Sequence, residues 1–168
     1  GQLGGSGATY TAAIAAGGGT PSATAVTETW NGSSWTEVND LQDSRRVAAQ
    51  VGTTTAALYF GGFNNSQPGY SALVESWDGT NWTEVGDVNT ARQVMGSSGT
   101  QTAGLCGTGS VGGTPPATTA VEEYDGSSWT TVNSHPAERF YMPATGPQTA
   151  ALATGGRTGP SGTSLTTS

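Results

Sequence analysis

The chain has 168 residues, 33% of them hydrophobic and 10% charged, which suffices for one domain with a moderate core. Its net charge is −7 and all five cations are Arg, so no basic patch can neutralise a phosphate backbone and nucleic acid is not an expected partner. No apolar run approaches the ~20 residues of a membrane-spanning helix, so no membrane partner is expected, and the lone Cys106 excludes an intrachain disulfide.

With 27 Gly and much Thr, Ser and Ala, the composition alone suits a disordered chain. The aromatic residues argue otherwise, because they are periodic. WNGSSWTEV from Trp30 recurs as WDGTNWTEV from Trp77 and YDGSSWTTV from Tyr124, at intervals of 47 residues. Trp35, Trp82 and Trp129 keep the same interval, as do Arg45, Arg92 and Arg139. Gly52, Gly99 and Gly146, then Leu58, Leu105 and Leu152, then Gly62, Gly109 and Gly156 also stay in step. The first unit fits at a spacing of 44, which sets Ile14 on Leu58, Gly17 and Gly18 on Gly61 and Gly62, and Gly1 on the Arg position. The chain therefore divides into repeats of about 1–43, 44–90 and 91–137, with half of a fourth over 138–168.

Each repeat reads as four short strands. In the second, residues 47–51 form the first strand, as residues 94–98 do in the third. A Gly/Thr turn follows, then a second strand over 56–60 that ends in paired Gly. A variable loop leads to the third strand over 73–77. Asn31-Gly32, Asp78-Gly79 and Asp125-Gly126 provide positive-φ turn chemistry for a tight hairpin into the fourth strand, which starts at the second Trp. Four strands per 47 residues describe one blade of a β-propeller, all-β, with about three and a half blades here. The expectation is that Trp35, Trp82 and Trp129 fill the wedge between blades, and that the recurring Arg reaches a neighbouring blade's carbonyls or carboxylates.

An Arg opening the first strand, paired Gly ending the second, and Tyr-Asp then Trp framing the third-to-fourth hairpin resemble the kelch repeat. The third unit departs from it with Gly107-Thr108-Gly109, and the hairpin is short for the family. Trp77-Asp78 is the only Trp-Asp pair and no Gly-His accompanies it, which disfavours WD40 repeats. Ser76-Trp77-Asp78-Gly79 differs from the sialidase Asp-box because its Asp and Gly are adjacent. Repeats of the WNGxxWTEV kind, without Lys, are similar to those in structural proteins of tailed bacteriophages, marine ones especially. The resemblance implies a virion appendage (a fibre, decoration or receptor-binding protein) at the virion surface or otherwise extracellular. A secreted bacterial adhesin or glycan-binding propeller is the alternative, and a cytosolic kelch adaptor a third.

Catalytic chemistry has little to stand on. His135 is the only His, in a connection where solvation is its expected state. It belongs to no Cys/His/carboxylate cluster, so neither a metal nor a cofactor is expected. Cys106 occupies the position of Tyr59 and Ala153, where a buried apolar residue is expected rather than a nucleophile. The variable second-to-third loops should share a face with the fourth-to-first connections, and recognition is expected there. Phe63, Asn64, Asn65, Gln67 and Tyr70, with Pro115 and Pro116 in the third repeat, are the candidate binding residues, suited to glycan or protein contact. Three and a half blades leave sheet edges open, so other virion or surface proteins, further copies of the chain, or missing blades are the expected partners.

Overall fold

The computed structural model describes residues 4–19, 21–64, 69–112 and 116–158. Candidates Asn65, Gln67 and Pro115 lie outside the described residues. The described chain is all-β. Its first sheet holds β1 (Gly4–Thr9), β2 (Ala12–Ala16), β3 (Thr27–Trp30) and β4 (Trp35–Val38), antiparallel and in chain order. β5 (Arg45–Arg46) precedes β6 (Ala49–Thr53) and β7 (Ala56–Phe60). Two short strands follow, β8 (Phe63–Asn64) and β9 (Gly69–Tyr70), then β10 (Val74–Trp77) and β11 (Trp82–Val85). β6, β7, β10 and β11 form the second sheet, while β5, β8 and β9 form a small three-stranded sheet above it. The third sheet is β12 (Gly96–Thr100), β13 (Ala103–Gly107), β14 (Val121–Tyr124) and β15 (Trp129–Val132). β16 (Ala144–Thr145) and β17 (Leu152–Ala153) pair in a two-stranded sheet. A short 3-10 turn at Gln148–Ala150 covers the turn positions of Thr54 and Thr55 in the second repeat and takes in the first position of the next strand.

The hairpin turns show why the Asn/Asp-Gly pair recurs. Gly32, Gly79 and Gly126 all have φ +96°. The residue before each Gly acts through its side chain instead: Asn31 Oδ1 accepts from the Ser33 and Ser34 amides, and Asp78 Oδ1 from Thr80 and Asn81. Asp125 Oδ1 takes the Ser127 and Ser128 amides in the same way. The first strands start two residues later than the sequence predicts. Val47 and Val94 have φ 51°, which breaks the extended backbone before β6 and β12. These residues have another use: the Val94 amide donates to the Val47 carbonyl at 3.1 Å, and Tyr141, φ 52°, donates to Val94 at 2.9 Å. One residue per repeat is thus linked head to tail along the inner strands.

A second stitch joins successive repeats. Gly18, Gly62 and Gly109 donate their amides to the carbonyls of Arg45, Arg92 and Arg139, at 2.8, 2.8 and 2.9 Å. A Cβ on the neighbouring Gly61 would lie 2.6 Å from the Arg92 carbonyl oxygen, so only Gly brings the two repeats' backbones so close. The Arg side chains do not cross to a neighbouring repeat as expected; the Arg carbonyls do. Each guanidinium stays in its own repeat. Arg45 donates to the Gly61 and Leu73 carbonyls and pairs with Glu75 at 2.7 Å. Arg92 donates to the Thr108 and Ala120 carbonyls and pairs with Glu122. The reason is reach: the Arg lies under the second-to-third loop of its own sheet, whose carbonyls are the nearest acceptors.

Trp82 packs among Ile14, Ala16, Leu41, Tyr59 and Trp77, and Trp129 among Leu58, Phe60, Val74, Val88 and Tyr124. Each indole of one sheet therefore enters the face of the sheet before it. An indole removes on the order of 200 Å² from water, an upper estimate of about 5 kcal/mol per joint. Trp35 departs from the expected wedge role: it is 49% exposed, since no described sheet precedes its own. The two filled joints also differ in one atom. Trp82 Nε1 donates to Thr27 Oγ1 at 3.0 Å, whereas Trp129 Nε1 is buried without an acceptor because Val74 takes the place of Thr27. Val74→Thr keeps the shape and provides the acceptor, so it should raise stability by about 1 kcal/mol, read as a shift in urea midpoint at unchanged m-value.

Candidate binding site

The second-to-third loops and the fourth-to-first connections do lie on one face, joined by backbone bonds. Leu41, Val88 and His135 donate to the carbonyls of Ala25, Ala72 and Thr119 at 3.0, 3.1 and 2.9 Å. The loop of the second repeat is itself a small hairpin, with Phe63 opposite Tyr70 and Arg45–Arg46 paired to its outer edge. That pairing places two of the candidates side by side: the Phe63 and Tyr70 rings meet edge to face, 6.5 Å apart at 87°.

Tyr70 is held from three directions. Phe63 lies on one. Ser110 Oγ, from the third repeat, sits 3.2 Å from the Tyr70 hydroxyl and 3.1 Å from the Pro116 carbonyl, which can only accept. Gly112, φ +67°, presses its backbone on the ring, where a Cβ would come within 2.2 Å of Cε2. On the other side, the Arg46 guanidinium lies 5.2 Å from the Phe63 ring centroid and bonds the Pro21 carbonyl of the first repeat. Phe63, Tyr70 and Pro116 are thereby linked in one run of contacts from Pro21 of the first repeat to Ser110 and Gly112 of the third.

Beside Tyr70 lies a pocket of about 290 Å³, lined by Asp43, Asn64, Tyr70, Ser71 and Asp87 among others. Asn64 is 6% exposed and its Nδ2 donates to Asp43 Oδ1 at 3.2 Å. Sequence reasoning placed Asn64 and Tyr70 here and missed Asp43 and Asp87. Both carboxylates stand on fourth-to-first connections, far from the loop in sequence. The pocket falls largely where the repeats disagree: 47 residues on, Thr90, Val111, Ala117 and Ser134 take the positions of Asp43, Asn64, Tyr70 and Asp87, while only the Asp87 position keeps its Asp in the first repeat, as Asp40. Two carboxylates and an amide offer acceptors to hydroxyl or ammonium donors, and the fixed Tyr70 ring offers an apolar wall.

The residues weighed for catalysis are elsewhere. Cys106 is fully buried, and burial pushes its thiol up to about 12, so it stays protonated at neutral pH. His135 is not simply solvated as expected. It is half-buried, at the position of buried Leu41 and Val88, with Nδ1 2.6 Å from the Ala137 carbonyl. Among the described residues no group of three or more His, Cys, Asp or Glu is arranged to hold a metal ion. No helix there is long and apolar enough to cross a membrane.

The exposed hairpin carboxylates titrate unusually. The Ser128 amide, with the Ser127 hydroxyl and amide, holds Asp125 down to about 2, and the Asn81 and Thr80 amides lower Asp78. A group depressed in the folded state stabilises the fold above its unfolded value, and that contribution is lost as pH falls through the folded value. Acid melting of the native chain should therefore steepen below pH ~4, the ordinary carboxylate value. Asp78→Asn with Asp125→Asn should flatten that slope, because Asn31 makes the same turn with a neutral amide. Thermal midpoints between pH 2 and 5 would check this, and equal slopes for both proteins would refute it.

No protein-family model matches the chain, and no curated protein matches it.

Proposed function

We propose that the chain is a run of kelch-like β-propeller blades serving as a non-enzymatic structural and binding module, in a bacteriophage virion appendage, and that its variable loops recognise a surface. Four-stranded antiparallel sheets in series, each stitched to the next by its Arg carbonyl and its indole, support the propeller. The observation that carries the binding role is the pocket of Asp43, Asn64, Tyr70 and Asp87, a set that recurs in no other repeat, although Asp87 alone has a like residue, Asp40, one repeat earlier. A repeat that existed solely for architecture would keep the positions of Asp43, Asn64 and Tyr70 uniform. At about 290 Å³ the pocket has room for one sugar-sized group, with carboxylates to accept its hydroxyls and Tyr70 to cover its apolar face. No cofactor takes part in this reading.

The test is binding of the purified chain to immobilised bacterial envelope glycans, next to Tyr70→Ala and Asp87→Asn. Retention by the native chain and at least a roughly tenfold loss in both variants, at unchanged melting temperature, is the expected result. Retention that ignores both substitutions would sink the pocket reading. Failure of the chain to co-purify with capsid or tail proteins from phage particles that encode it would sink the virion reading.

A further inference from the structure

The hairpin turns of the three repeats share one frame and differ in one group. Asp78 and Asp125 precede their Gly as carboxylates, whereas Asn31 precedes Gly32 as an amide. Of the seven Asn in the chain, only Asn31 is followed by Gly. Its side chain is folded forward over that glycine. Oδ1 accepts from the Ser33 amide and the Ser33 hydroxyl, each at 2.9 Å, and from the Ser34 amide at 3.0 Å. Three donors on one carbonyl oxygen polarise Cγ and are placed to hold the negative charge that grows on Oδ1 when a nucleophile adds there. The nucleophile is the next nitrogen of the chain. The Gly32 amide has no acceptor among the described residues, and its own residue has no side chain to shield it. The nitrogen that would leave, Nδ2, donates to Ser34 Oγ at 3.3 Å. Residues 31–34 are exposed, and so are 78–81 and 125–128, so the exposure belongs to the turn and not to the first sheet's place in the chain.

We infer that Asn31 is a site of spontaneous deamidation, where the native turn converts an amide into the carboxylate that its sister turns already carry. Solvent base takes the Gly32 amide proton and the nitrogen bonds to Asn31 Cγ. The Cγ–Nδ2 bond then breaks, and the nitrogen leaves as ammonia with its third hydrogen drawn from water. The ring left behind is a succinimide. Water opens it at Cγ to give aspartate, or at the main-chain carbonyl to give isoaspartate. The aspartate product fits the turn as it stands, since Asp78 and Asp125 accept the matching amides at 2.8–2.9 Å. It adds one negative charge to a net of −7. Isoaspartate inserts a methylene into the main chain between the paired Trp30 and Trp35 and turns Oδ1 into a main-chain carbonyl, so the end of β3 and β4 loosens. The sister turns resist the same ring closure. Their carboxyls must be protonated before water can leave. The Ser128 amide, with the Ser127 hydroxyl and amide, holds Asp125 down to about 2, and the Asn81 and Thr80 amides lower Asp78, so both stay ionised. The donor set that activates an amide thus protects a carboxylate, which confines the reaction to the first repeat.

The 168-residue chain, held in mildly alkaline buffer at physiological temperature and sampled by peptide mapping with mass detection, provides the test. Asn31 should convert at least roughly tenfold faster than any other Asn of the chain. Its rate should rise in proportion to hydroxide, because the Gly32 nitrogen attacks only after losing its proton. Ser33→Ala removes one donor to Oδ1 and leaves the Asn-Gly pair intact. It should slow conversion roughly threefold in the folded chain, and not at all in the free peptide of residues 27–38, where an isolated hairpin barely forms. Asn31→Asp should melt no lower than the native chain at neutral pH, while the isoaspartyl fraction melts lower than both. An amide that survives at Asn31 in the folded chain while the free peptide converts would overturn the inference, by showing that the turn shields it. Equal rates for Ser33→Ala and the native chain would overturn it as well, and so would an Asn31→Asp chain that melts lower, since the turn would then not accommodate its own product.

Discussion

Replacing Arg92 by Met should cost the chain about 3–5 kcal/mol, the usual price of leaving a buried charge without its partner. Neither Arg92 nor Glu122 has any exposed side-chain surface. Glu122 Oε2 also accepts the Asn89 amide at 2.6 Å and Oε1 the Thr90 amide at 3.1 Å, so the carboxylate anchors the connection that enters the third repeat. Arg92 meanwhile holds two carbonyls of the second-to-third loop, Thr108 and Ala120. Removing the cation leaves the buried Glu122 carboxyl without its ion-pair partner and two carbonyls short of a donor. Removing the anion as well, by Arg92→Met with Glu122→Leu, relieves the first problem, leaves the second and deprives the Asn89 and Thr90 amides of their acceptor, a smaller loss than an unpaired buried charge. The double variant should therefore be more stable than Arg92→Met alone, a strongly non-additive cycle measurable by urea denaturation. Additive costs would show that the pair is not the coupled unit the geometry describes. Arg45→Met should behave alike through Glu75, whose Oε2 takes the Gln42 amide at 2.7 Å.

Trp82→Ala should also cost about 3–5 kcal/mol, the range for truncating a large buried aromatic. Trp82 is 4% exposed, its ring lies 5.3 Å from Trp77 and 6.3 Å from Tyr59, and its Nε1 bond to Thr27 crosses between sheets. Trp129→Ala should cost slightly less, because it removes no hydrogen bond from Nε1. Trp35→Ala should stay within about 0.5–1 kcal/mol, since half of that side chain is in water. One residue type at one position of the repeat thus gives a large, a large and a small effect. Equal costs at all three would mean that the indoles act within their own hairpins and not across the joints.

Much of the architecture was legible in the sequence because it rests on residues that must be identical in every repeat. Trp82 and Trp129 recur since each joint needs an indole, and Gly18, Gly62 and Gly109 recur since the backbone there has positive φ or a close neighbour. The partner of the Arg was legible in principle and was missed: Glu28, Glu75 and Glu122 keep the same interval, yet a carboxylate on a strand of mixed polarity gives no sign of burial. The positive φ of Val47 and Val94 was not legible, because β-branched residues argue for strand and tertiary bonds override that preference. The candidate site was half legible. Variation between repeats pointed to Phe63, Asn64, Tyr70 and Pro116, but Asp43 and Asp87 reach the pocket through the packing of connections that no local pattern encodes.

The stitches between repeats carry a mechanical meaning. Gly62 to Arg92 and Val94 to Val47 join only adjacent repeats, and the Arg–Glu pairs close within one. Tension applied along the chain then loads one joint at a time, and a repeat that yields does not remove the support of those further on. Each yielding repeat would release 47 residues, on the order of 160 Å of extended chain. Such a molecule lengthens in steps under load while its remaining sheets hold.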